Sequence, residues 1–192
     1  MDTILLLGDS IRMFYAKYVE QEFAGRMKVV WPNENGRFSL YTLRCLFEWE
    51  KLADSPQDVV AVHWNNGLWD VTRRTMDGEC LASPEEYRRN LERIIFELRA
   101  RFPRAKIVFA TTTCVNPKLP TVKNEDVDAY NAVALEVMAR HGVPIDDLHA
   151  VMAAHPEYIR EDDLIHETDE GARVLARCVR ESIERALDER SE

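Results

Sequence analysis

No apolar stretch in this sequence approaches the roughly 20 residues that a membrane-spanning helix needs. The only hydrophobic run near the N-terminus, "ILLL" at 4–7, stands between Asp2 and Asp9. It is too short and too acidic in its flanks for a secretory leader. Cysteine lacks pattern: Cys45, Cys80, Cys114 and Cys178 lie far apart, with neither C-x-x-C nor zinc-finger spacing. Reduced thiols in a cytoplasmic protein are the expectation. An excess of basic charge is missing too. With 25 Lys and Arg against 34 Asp and Glu the net charge is −9, which argues against a general nucleic-acid binder, because phosphate neutralisation needs a basic surface. The basic residues are scattered or sit on segments such as "EEYRRNLERIIFELRARFPR", where a solvated helix face accounts for them. Repeats, low-complexity tracts and linkers are absent, so residues 1–192 read as one domain.

What is present is an ordinary soluble composition, 46% hydrophobic and 31% charged over 192 residues, enough for a substantial core. Short strand-like runs alternate with long amphipathic segments. The strand candidates are 3–8, 27–31, 58–64, 106–113 and the short 143–146; helical patterns cover 11–24, 39–53, 84–101, 124–141 and 169–189. Start and stop signals are good in places. Ser83-Pro84-Glu85-Glu86 supplies a cap, a proline and first-turn acids, and Gly142 sits where a helix-ending glycine belongs. Strands apolar on both faces and separated by helices predict an α/β fold, a three-layer α/β/α sandwich around a five-stranded parallel sheet. The longest stretch without a pattern is 68–83, and long irregular loops in compact domains tend to be functional or mobile.

In such a sheet the segments after the strands converge on one crevice. Gly8-Asp9-Ser10 follows the first strand, "PNENGRFS" the second and "NNGLWD" the third, while "DDLIHETDEG" precedes the last helix. These are the parts of an acyl-transfer site. A serine hydroxyl is a poor nucleophile until a base such as His166 lies within reach. The imidazole in turn needs a carboxylate to fix its tautomer, and Asp163, three residues earlier, is close enough. The oxyanion needs preorganised donors; the N–H of Ser10, an N–H at Gly36 and an amide of Asn65 or Asn66 are the candidates.

These segments carry a family resemblance. "GDSI", "ENGRFS", "HWNNGLWD" and "DDLIH" occur in the order and spacing of the SGNH (GDSL-like) hydrolases, and the likeness extends over essentially the whole chain. The resemblance implies a flavodoxin-like sandwich and a serine ester hydrolase without metal or organic cofactor. Its substrate would be a small ester with a short, acetyl-like acyl group, an acylated carbohydrate among them. By matching position, Ser10 stands for the nucleophile, His166 for the base, Asp163 for the orienting acid and Gly36 for the second oxyanion donor. The third segment departs from the usual Gly-x-Asn-Asp and looks like an N-x-G-L-H/W-D variant, which favours Asn65 over Asn66 as the amide donor. Trp69, in the long loop, is a candidate for the pocket wall.

Each residue also has a plainer reading. Ser10 alone would cap a helix, with Asp9 a turn residue. Gly36 and the "NNG" stretch are turn formers in their own right. Asp162, Asp163 and His166 resemble a metal corner, although no third ligand cluster is visible. His63 and Trp64 read as core, His141 as a helix C-terminal residue, and His149 and His155 carry no role. Two alternatives to hydrolysis remain: an acyltransferase using the same site, and a flavodoxin-like module without catalysis.

Overall fold

A computed structural model describes residues 1–188. Its five strands are β1 (Thr3–Leu7), β2 (Lys28–Val30), β3 (Val59–Asn65), β4 (Lys106–Ala110) and β5 (Ile145–Asp146). All pair in parallel, in the order β2-β1-β3-β4-β5. The helices are α1 (Ser10–Glu22), α2 (Ser39–Trp49), α3 (Pro84–Arg101), α4 (Asn124–His141), α5 (Leu148–Ala154) and α6 (Asp169–Asp188). The predicted flavodoxin-like sandwich is therefore present. No helix among the described residues is long and apolar enough to cross a membrane.

Topology places the crevice. The chain leaves β1 toward β2 in one direction and then winds back past β1 to β3, β4 and β5. Right-handed crossovers consequently put α1 on one face and α2, α3 and α4 on the other. α6 returns to pack beside α1, while α2, α3 and α4 pack in series. The winding reverses between β1 and β3, so a ligand crevice belongs at their C-terminal ends. β1 and β3 are buried along their whole length, as expected of strands covered on both faces.

Several boundaries differ from the sequence expectation. β4 stops at Ala110 because the Thr112 N–H and C=O turn to the side chain of Asn131, at 2.8 and 2.9 Å, instead of a neighbouring strand. α2 ends at Trp49, earlier than 53, and continues as a short tighter turn over Glu50–Leu52. α5 occupies a stretch outside the predicted helical patterns, with Asp147 accepting from the Ala150 N–H as its cap. The predicted extension of α6 to 189 lies outside the described residues. α3 begins with a capping box between Ser83 and Glu86, and α4 ends at Gly142 with φ +60°, both as the local signals indicated.

Candidate active site

The first segment begins where β1 ends. Gly8 has φ +150°, and a Cβ on it would meet Asn65 Oδ1 at 1.9 Å; only glycine lets the turn lie this close to the end of β3. The helix cap is Asp9, not Ser10. The Asp9 carboxylate, fully buried, accepts from the Ile11 N–H at 3.0 Å and from Asn65 Nδ2 at 2.9 Å. Burial raises its pKa, with the Asn65 amide and Ile11 N–H working against that rise. Ser10 is thus released from capping. It is the first residue of α1 and half-buried, and among the described residues its N–H has no backbone acceptor.

Arg12 secures the second segment. Its guanidinium is 1% exposed and donates to the carbonyls of Pro32 (3.0 Å) and Glu34 (2.6 Å). Burial pulls its pKa down to about 10. The Gly36 N–H donates to the Gly8 carbonyl at 2.9 Å, so this expected oxyanion donor is engaged in tying the two loops together. A Cβ on Gly36 would sit 2.4 Å from that carbonyl oxygen, which explains the glycine.

The two asparagines behave differently. Asn66 is engaged at both ends of its amide: Nδ2 donates one hydrogen to the Arg37 carbonyl at 2.9 Å and Oδ1 accepts from Trp64 Nε1 at 2.6 Å, whereas Asn65 Oδ1 has no partner among the described residues. The Asn66 carbonyl accepts from Tyr87 and Thr112 hydroxyls. Asn65, at the tip of β3, gives one amide hydrogen to Asp9 and keeps the other. Trp69 lies half-buried in the following turn, its carbonyl bound by Thr72. Asp70 is fully buried and braces the second segment, accepting from the Ser39 hydroxyl at 2.6 Å and the Ser39 N–H at 3.0 Å. Burial raises its pKa to about 7 against these bonds.

The last segment is clamped as an antiparallel bridge between Ile159 and Glu167. Arg160 N–H donates to the His166 carbonyl at 2.8 Å, and Thr168 N–H to Tyr158 at 2.7 Å. Within the loop, Asp163 Oδ1 accepts from the N–H groups of Ile165 and His166, both at 2.9 Å, and Oδ2 meets His166 Nδ1 at 2.9 Å. Burial pushes the Asp163 carboxyl up, but these bonds together outweigh it and hold it below the usual carboxylate range. Asp162 is exposed and faces Arg160 instead.

The His166 ring stacks on Phe14, with centroids 4.6 Å apart and planes at 10°. Phe14 lies one turn after Ser10 on the same face of α1, so the stack sets the imidazole against the face of α1 that also carries Ser10. With Nδ1 directed at Asp163, Nε2 is the remaining nitrogen; it is buried and without a partner among the described residues. Nε2 in this tautomer is a proton acceptor.

Three buried residues near the site stand outside the sequence expectations. Asp9 was read as a turn residue, and Arg12 carries no signal to distinguish it from a solvated helix arginine. Glu167 is 1% exposed with both carboxyl oxygens unpartnered among the described residues, and burial drives its pKa well above the usual range. Embedded in the acidic run "DDLIHETDE", it carries no signal of its burial.

The model of a family described as GDSL-like Lipase/Acylhydrolase matches residues 6–174. A lipase/acylhydrolase from Enterococcus faecalis superposes with a TM-score of 0.78 at 23% identity, covering 96% of this chain and 97% of that one. The acetyl xylan esterase AlAXEase gives 0.76 at 14% identity, covering 94% and 99%. TesA gives 0.74 at 19%, covering 97% and 100%. At these identities the superpositions speak for the fold. No curated protein sequence matches the chain.

Proposed function

The chain belongs to the GDSL-like lipase/acylhydrolase family, carboxylic ester hydrolases, and from that membership we propose that it cleaves its ester through Ser10, His166 and Asp163. Ser10 Oγ attacks the ester carbonyl while His166 Nε2 takes the hydroxyl proton. The C–O bond to the alcohol breaks as that proton passes to the leaving oxygen. Water then repeats the sequence on the acyl-serine and releases the acid. Asp163 fixes the imidazole tautomer and stabilises its protonated form.

The observation that carries this assignment is the His166 ring, held by Asp163 at 2.9 Å on one side and by Phe14 beneath, with Nε2 unpartnered beside the start of α1. For the oxyanion the best-supported donors are the Ser10 N–H and the second amide hydrogen of Asn65. Gly36 supports them by holding the Gly8 turn in place. Asn66 is assigned to bracing that loop.

We place "NNGLWD" in the N-x-G-L-H/W-D subgroup and the substrate among short acyl esters, acetyl esters of sugars included. The acetyl xylan esterase neighbour agrees with this choice without deciding it. We further take residues 1–192 as one hydrolase domain, supported by a single sheet and one continuous core. The free Cys45, Cys80, Cys114 and Cys178 support a cytoplasmic setting.

A fluorophosphonate probe tests the nucleophile. Labelling of wild type and none of Ser10→Ala is expected; equal labelling of both removes Ser10 from the mechanism. p-Nitrophenyl esters of increasing chain length, followed by mass spectrometry of acyl donor and acceptor, separate hydrolysis of short esters from acyl transfer.

A further inference from the structure

We propose that the cavity between the start of α2 and the first turns of α3 is a subsite for a carboxylate carried by the ester substrate away from its scissile bond. This rests on the assignment of Ser10 and His166 as the hydrolytic site and adds the charge class of the molecule it accepts.

The cavity is about 340 Å³, a volume within the ordinary range for small-ligand sites. Its walls differ in chemistry. Phe38, Leu40 and Leu81 form an apolar side, and Arg89 and Arg93 the other. Leu40 is 51% and Leu81 43% exposed, a hydrocarbon rim left open to solvent.

The arginines are the informative part. α3 contains five, and three of them have protein partners. Arg88 pairs with Glu136, Arg99 donates to the His141 carbonyl, and Arg101 pairs with Glu50 and Glu97. Arg89 and Arg93, the two that line the cavity, have no ion pair among the described residues. Both are exposed. A shortage of acids does not explain this in a chain with 34 of them. Spaced four apart, the two guanidiniums rise from one face of α3, and paired guanidinium forks suit carboxylate geometry better than any other side chain.

Glu86 also borders the cavity, yet its carboxylate is bound by the Ser83 N–H and hydroxyl at 2.8 Å each. It does not neutralise either arginine. At the floor, Asp70 is held by Ser39, and Asn90 donates to the Ser39 hydroxyl at 3.0 Å. The cavity is adjacent in sequence to the proposed site. Phe38 lies two residues beyond Gly36 and Asp70 five beyond Asn65, so two of the site-forming segments run directly into its wall.

The test compares two esters matched except for charge: an O-acetylated methyl glucoside and the corresponding O-acetylated methyl glucuronoside. At low salt wild type is expected to favour the acidic ester about tenfold or more in kcat/KM. Arg89→Gln/Arg93→Gln should lose that preference, chiefly through KM, and 0.5 M salt should shrink it in wild type. Absence of a preference in wild type, or an equal fall for both esters in the double variant, overturns the proposal. Calorimetric binding of methyl glucuronoside to Ser10→Ala keeps the two assignments apart. Binding that the arginine substitutions abolish supports the subsite even where turnover or probe labelling fails. Binding unchanged by them refutes it whatever the enzyme hydrolyses.

Discussion

His63 and His166 each hold an aspartate at 2.9 Å, Asp146 in the first case and Asp163 in the second. By that measure the two pairs are alike, and their surroundings separate them. His63 lies in the middle of β3, fully buried, with Nδ1 facing the Tyr15 hydroxyl at 3.5 Å. Asp146 accepts in addition from the Ser182 hydroxyl at 3.2 Å. This cluster joins α1, β3, β5 and α6, and both histidine nitrogens have neighbours. His166 sits on a loop at the end of the sheet, stacked on Phe14, with Nε2 unpartnered among the described residues. A His–Asp pair is therefore common property of a structural cross-link and of the base proposed for the reaction. What separates them is a second nitrogen left unpartnered among the described residues, on a loop at the end of the sheet.

The sharpest way to break the comparison is to remove each imidazole. His166→Ala, like Ser10→Ala, should reduce kcat by about 10⁴–10⁶-fold with little change in melting temperature. His63→Ala should do the reverse, costing about 2–5 kcal/mol of stability through lost bonds and a core cavity, while folded molecules keep their turnover. Denaturant titration beside initial rates reads both. Loss of turnover in a stable His63→Ala protein would bring the buried pair into the mechanism.

The difference between the two pairs also marks the limit of what the sequence made legible. Ser10, Asp163 and His166 stand out because their chemistry is local: a strand-ending turn and an acid three residues before a histidine. The alternation of apolar runs and amphipathic segments likewise reveals the layers. Long-range partners are invisible at that level. Nothing in "VVAVHW" tells that His63 meets Asp146 from a strand 83 residues away, and nothing in "SIRMFY" buries Arg12. Asn65 and Asn66 are chemically identical neighbours, the last residue of β3 and the first beyond it, so only Asp9, Arg37 and Trp64 distinguish them. α5 was missed because its seven residues are too few for a helical period to emerge.

The second step is the acid. Asp163→Asn should lower kcat by about 10³–10⁴-fold, since the amide fixes the wrong tautomer without moving the ring. Next come the asparagines. Asn65→Ala should lose about 10²–10³-fold in kcat, the usual effect of deleting one oxyanion donor, with KM little changed. Asn66→Ala should instead lose about 1–3 kcal/mol of stability, because the buried Trp64 indole and the partly buried Arg37 carbonyl are left unpaired. Equal kinetic losses in both would reopen the choice between them.

Asp70 offers a contrast in sign with Asp163. Asp163 is held below the usual carboxylate range, so its contribution is present at neutral pH and is lost as pH falls through its folded value. Asp70, with no cation to offset its burial, is raised from 3.8 to about 7. Between those values the folded protein keeps a proton that the unfolded chain releases, so stability falls as pH rises. The slope approaches about 1.4 kcal/mol per pH unit at most. Asp70→Asn, which mimics the neutral form and still accepts from Ser39, should flatten that decline between pH 4 and 7. Parallel stability curves for the two proteins would show that Asp70 does not titrate in this window.

The smallest effect is expected one residue from the largest. Asp162 adjoins Asp163 in sequence, and from composition alone either could orient His166. Their surroundings differ as those of the two histidines do. The Asp162 side chain is 67% exposed and faces the Arg160 guanidinium, which lowers its pKa to about 2 without bringing it to the imidazole. The Arg160 backbone, not its side chain, carries the 2.8 Å bond that holds the His166 carbonyl. Removing the Asp162 charge should therefore leave the Arg160 guanidinium beside Asp163, 3.6 Å from its Oδ2, and the loop in place. A surface pair of this kind contributes about 0–1 kcal/mol, so Asp162→Asn should keep kcat within about threefold of wild type. Arg160→Gln should behave likewise. A loss in Asp162→Asn exceeding that in Asp163→Asn would shift the orienting acid by one residue and leave the 2.9 Å contact of Asp163 as a structural cross-link of the kind His63 and Asp146 make.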